Sequence, residues 1–217
     1  MQRSYGMRLL GILLLTAVSA FGALRLPAVN DAAVLGLLHS RNVEGLKALG
    51  KDALPVMARI YESSTPDERA GIAELFYKIG WTSADAKRVL LKDVHTQNQQ
   101  LRIQAQWALG RVSGDDDVVD VLLANMQNDP NPLFRDKAAC ALAEDQIHLS
   151  PQGRRRLYEG LIFARDDPKG QVRQIALQAL QILTGQTKGF QSGASAEDRQ
   201  RSVGLWKQWL NDYRSNN

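Results

Sequence analysis

Four stretches of this chain align with one another without a gap, and that repetition narrows the possible folds more than any other feature. They run from Glu68 to Phe76, from Leu101 to Leu109, from Phe134 to Leu142 and from Val172 to Leu180. The second residue is arginine in all four: Arg69, Arg102, Arg135 and Arg173. The first three starts are evenly spaced and the fourth comes slightly later. That interval suits a two-helix unit repeated along one axis.

Apolar or small residues recur at the fifth, eighth and ninth places of each stretch, and at the first place of all but the first stretch, which opens on Glu68. This i, i+4, i+7, i+8 spacing makes one buried stripe on a helix. The fifth place holds Ile72, Ala105, Ala138 and Ala176; the last two hold Leu75-Phe76, Ala108-Leu109, Ala141-Leu142 and Ala179-Leu180. A second apolar segment precedes each stretch: 54–61, 86–94, 118–126 and 157–164. Each unit therefore reads as a helical hairpin, with alanine letting neighbouring helices approach. Gly80, Gly110 and Gly185 are expected just past helix ends, where a left-handed residue is wanted. Asp129-Pro130 and Asp167-Pro168 punctuate the turn inside a unit.

The run from Asp129 through Arg135 to Leu142 resembles the HEAT or HEAT-like repeat pattern, as do Asp167 to Arg173 and the opening Leu49 to Pro55. The resemblance spans roughly residues 45–185. It implies an all-α fold, a short right-handed α-solenoid of helical hairpins, in which turn aspartates and second-helix arginines pair along the stack. Six positions before the repeat arginine stands aspartate in two units but Ser63 or Thr96 in the others, so that ladder should be incomplete.

Residues 30–185 are assigned to the solenoid and 186–217 to a loop and a C-terminal capping helix. Ser195 and Asp198 form an S-x-x-D helix start, and Val203, Trp206, Trp209 and Leu210 share one face suited to closing the stack. This ending is similar to tails on other bacterial HEAT-repeat proteins. At the other end, Asp31 and Asn42 are expected to cap two short helices that cover the first unit.

The segment 1–20 reads as a signal peptide: Arg3 and Arg8, the apolar run from Leu9 to Val18, and small residues ending at Ala20. The apolar stretch continues to Leu24, slightly short of a bilayer span, so an uncleaved anchor is the alternative to cleavage after Ala20. Export, into a bacterial periplasm, is the expected localisation. Without the leader the formal charge falls from +4 to +2, too little to attract phosphates, which argues against a nucleic-acid partner.

Nothing in the sequence arranges itself for catalysis. His39, His95 and His148 are widely separated, as surface or turn histidines would be. The single cysteine, Cys140, lies in an alanine-rich run and reads as a packed thiol. Gly110 to Gly114 lacks the lysine of a phosphate loop. Asp115, Asp116 and Asp117 fit either a helix N-terminus or, with Asp120, a cation site. Arg154, Arg155 and Arg156, with Arg165, Lys169 and Arg173, form either a solvated helix face or a positive patch for an acidic surface.

No metal and no cofactor is therefore expected, and a protein or peptide partner is. Stacking equivalent helices aligns their non-core residues into one face. The candidate partner-binding residues are Glu74, Gln104, Trp107, Lys137, Gln174 and Gln178, with Trp107 either an aromatic anchor or a filler between units. The expected function is an exported, non-catalytic interaction module or scaffold. The alternatives are a lyase-type enzyme, which HEAT-like chromophore lyases suggest, and a scaffold tethered through an uncleaved N-terminal helix.

Overall fold

The computed structural model describes residues 29–189, 191 and 193–216, and the expected leader at 1–20, with its continuation to 24, lies outside them. The described residues form eleven helices and no strands. They are α1 (Asp31–His39), α2 (Val43–Ala48), α3 (Ala53–Ser63), α4 (Pro66–Ile79), α5 (Ala84–Asp93) and α6 (Gln99–Val112). There follow α7 (Asp116–Asn128), α8 (Pro132–Glu144), α9 (Pro151–Ala164), α10 (Gly170–Thr184) and α11 (Ala196–Asn216).

Local chemistry starts most of these helices, at Asn42 and Ser195 as the sequence predicts. Side-chain oxygens of Asn42, Ser83, Asn98, Asn131 and Ser150 accept from first-turn backbone N–H groups, which would otherwise have no partner. Thr65 and Glu68 cap α4 reciprocally, and Ser195 accepts from the Asp198 N–H at the start of α11. At α1 the cap is Asn30, one position before the expected Asp31, which is instead the first helical residue and pairs with Arg59. Gly80 and Gly185 end α4 and α10 with φ of 67° and 69°.

The third expected stop, Gly110, lies inside α6. A Cβ there would fall 2.9 Å from the Asp145 carbonyl oxygen, so this glycine serves a close approach between α6 and the end of α8.

The helices stack in two layers. The first helices of the hairpins pack in sequence, α1 on α3, α3 on α5, α7 on α9, and α9 on α11. The second helices do likewise, α2 on α4 and on through α6, α8 and α10. Ala105, Ala138 and Ala176 are fully buried at those contacts. The α1–α2 pair is thus a shortened unit in register with the rest, and α11 takes the place of another first helix. Its Trp206 is fully buried, donates its indole N–H to the Thr187 carbonyl and lies edge-on to Trp209.

The arginine–aspartate ladder has two rungs between units. Arg102 pairs with Asp129 of the next unit, both buried, while its guanidinium lies 4.1 Å from the Phe134 ring centroid. Arg69 reaches Asp93 at 3.5 Å, and Asp93 also accepts from the Tyr61 hydroxyl at 2.7 Å. Burial and Asp93 hold that phenol protonated, far above its ordinary range. Arg135 and Arg173 instead close their own turns, donating to the carbonyls of Asp129 and Asp167.

The late start of the fourth repeat stretch also has a structural origin. The loop over 145–150 is longer than the loops at 80–83 and 113–115, and it folds back across both. The His148 imidazole hydrogen-bonds the Gly80 carbonyl at 2.9 Å, and the His148 carbonyl packs on Gly114.

Candidate interaction face

A second set of contacts ties the first helices together. Asp31 of α1 pairs with Arg59 of α3 at 2.8 Å, and Glu62 of α3 with Arg88 and Lys92 of α5 at 2.6 and 2.7 Å. Lys87 of α5 holds Asp115 and Asp117 at 2.7 and 3.1 Å. Asp120 of α7 meets Arg156 of α9, and Glu159 of α9 meets Arg214 of α11, both at 2.6 Å. Every step between consecutive first helices thus carries at least one ion pair. Arg88 and Lys92 hold the Glu62 carboxyl well below its usual range, at about 2.

These pairings decide two readings of the charge runs. Asp115 stands at the N-cap of α7 without making a capping hydrogen bond, because its carboxylate goes to Lys87. Among the described residues no group of three or more His, Cys, Asp or Glu side chains is placed to hold a metal ion. Four of the six cations are engaged within the fold. Arg165 is fully buried over Trp206, where burial pushes its pKa down to about 10, and it donates to Ser202. Arg156 pairs with Asp120, and Lys169 and Arg173 donate to backbone carbonyls.

The candidate face lies on the outer side of the second helices, and its two ends differ. Towards the N-terminus its charged and aromatic residues are taken up in ion pairs and packing. Glu74 is bonded to Lys78 at 2.6 Å and Arg41 at 2.9 Å, which together keep its carboxyl ionised below the ordinary range. Trp107 is half-buried against the core, tilted on Tyr77 at 6.4 Å, and Arg111 lies over the same tyrosine while bonding Asp145. Packing is therefore what the geometry assigns to this tryptophan. Gln104 does not reach the surface as expected: it is 8% exposed, because the buried stripe of α6 widens to include Gln104 and Gln106.

Towards the C-terminus the face is open. Lys137 is half-buried and pairs with its neighbour Asp136 at 3.0 Å, which raises the pKa of its ammonium group. Gln174 and Gln178 are exposed on α10. Between α8 and α10 lies a groove of about 400 Å³, with Ala139, Cys140 and Ala143 along one wall and Ile175, Gln178 and Ile182 along the other. Cys140 is half-buried in that wall rather than fully packed, and burial, aided by Asp136, pushes its thiol pKa up. A protonated thiol is a poor nucleophile, so the wall is suited to contact rather than chemistry.

Sequence reasoning identified Gln178 on this groove but missed Cys140, Ala143 and Ile182. A signal existed: Ile175 and Ile182, at i and i+7 on α10, flank the core-facing stripe of Val172, Ala176, Ala179 and Leu180 and widen its apolar surface.

Comparison with known families matches residues 88–181 to HEAT repeats, a span from within α5 to within α10 that includes the lining residues of the groove except Ile182. No curated protein matches the chain.

Proposed function

Given that this chain is a HEAT-like repeat protein, we propose that it is an exported, non-catalytic scaffold that holds a protein or peptide partner on the outer side of its second helices. HEAT repeats are in general protein-interaction modules, which supports the class of activity. The observation that carries the choice of surface is the contrast along the second helices, closed by ion pairs and Trp107 at one end and open beside Lys137, Gln174 and Gln178 at the other. Export is supported by the basic start, apolar run and small residues of positions 1–20. No observation favours lyase chemistry or a membrane tether over this reading.

Two measurements test it. Fractionation with intact mass in the native host is expected to find a mature form beginning at Phe21 in the periplasm. A full-length or cytoplasmic form would overturn the export. Cross-linking followed by capture is expected to lose the partner in a Lys137→Ser, Gln174→Arg double variant that keeps wild-type helicity. Unchanged partner recovery would remove this face as the binding surface.

A further inference from the structure

The groove between α8 and α10 exists because its walls are small. At the places where α6 carries Gln106 and Trp107, α8 carries Ala139 and Cys140, and one turn later comes Ala143. Across from them Ile182 is 56% exposed, an apolar side chain left in water at the mouth of a concave surface. Such a site gains by taking up one apolar side chain, at roughly 25 cal/mol per Å² of apolar surface covered.

Its charges restrict what can bring that side chain. Asp136 and Glu144 stand one turn to either side of Cys140 on α8, and Glu144 is exposed with no ion pair among the described residues. Lys137 pairs with Asp136, which leaves these three side chains with a net charge of one negative, and α10 adds no charge of its own at the groove. Two carboxylates placed so on a helix are about 12 Å apart. An extended chain covers that distance in about four residues. On the α10 wall Gln178 and Gln181 present amides that donate and accept as a peptide group does.

We infer that this groove is the anchoring subsite for an extended peptide segment of the partner, which inserts one apolar side chain beside Cys140 and sets a basic residue about two positions to either side. The inference rests on the interaction-face reading and adds the occupant's chemistry to it. Phosphate-bearing partners are disfavoured by the same two carboxylates.

The test uses the full chain and three short fluorescein-labelled peptides in an anisotropy titration. One has a central leucine with lysines two positions away on each side, one replaces the lysines with glutamate, and one replaces the leucine with serine. The first is expected to bind about tenfold or more tightly than the other two. Cys140→Trp, which places at this position what α6 already carries, should close the groove and weaken the first peptide about tenfold or more. Glu144→Lys should weaken that peptide and not the glutamate one. As Cys140 is the single cysteine of the chain, its protection from a maleimide by bound peptide gives a readout on the unmutated protein should the tryptophan variant fail to fold.

Equal affinity for basic and acidic peptides, absence of binding by all three, or no protection of Cys140 would overturn the assignment. In each of those cases the interaction face itself still stands or falls on the Lys137→Ser, Gln174→Arg capture, repeated with Gln174→Arg alone, which leaves the Lys137–Asp136 pair in place and lies outside the groove lining.

Discussion

Two glycines show how differently one residue type is used. Gly36 is exposed within α1 and a Cβ there would meet nothing within 4 Å, so Gly36→Ala should stabilise the protein by up to about 1 kcal/mol through helix propensity. At Gly114 a Cβ would fall 2.2 Å from the His148 carbonyl oxygen. Gly114→Ala must push apart two inter-unit loops, at a cost of about 2 kcal/mol or more. Urea denaturation of the two variants checks both signs, and equal effects would contradict the loop packing. The sequence carries no trace of this contact, because the two residues are far apart in the chain and only the folding-back of loop 145–150 brings them together. The repeat arginines are the opposite case. Their recurrence was legible at once, whereas the partner of Arg69, Asp93, follows no turn aspartate of the repeat and was not.

At the scale of helices, caps and stripes are local signals, and both hairpin halves were readable from them. What was hidden is the row of ion pairs between first helices, whose partners stand from 26 to 55 residues apart. The signal that could reveal it is an acid in one first helix and a base about one repeat period later. Glu62 offers a direct check. Its folded-state pKa of about 2 lies below the ordinary carboxylate value of 4.5, so its stabilising contribution is present above that ordinary value and disappears as pH falls towards 2. An NMR titration of the Glu62 carboxyl should show this low midpoint, and Arg88→Ala with Lys92→Ala should return it towards 4.5. The capping helix makes a second prediction. Trp206→Ala removes a fully buried ring from between α11, Arg165 and the Thr187 loop, and should cost about 3–5 kcal/mol.

For the molecule as a stack, helix contacts run mainly between adjacent units, with the loop 145–150 reaching back further to Gly80, so a loss at the C-terminal end is felt mainly there. Hydrogen exchange of the Trp206→Ala protein should speed up in α9, α10 and α11 while α3 and α4 keep wild-type protection. Uniform acceleration would mean that the chain unfolds as a single block. The two layers also differ in what joins them. The first helices are linked at exposed edges by ion pairs, most of which have side chains about half open to water. The second helices carry buried alanines, and the inter-unit pairs beside them, Arg102–Asp129 and Arg111–Asp145, are largely shielded from water. Salt weakens the former, each pair being worth at most about 1 kcal/mol, and leaves the latter intact.

Such a body behaves as a strip laminated from two plies that respond to different variables. The ply of first helices slackens with ionic strength while the ply carrying the groove keeps its length. Salt should therefore change how readily the strip bends without melting it, and the ease of bending is set apart from the surface that does the holding.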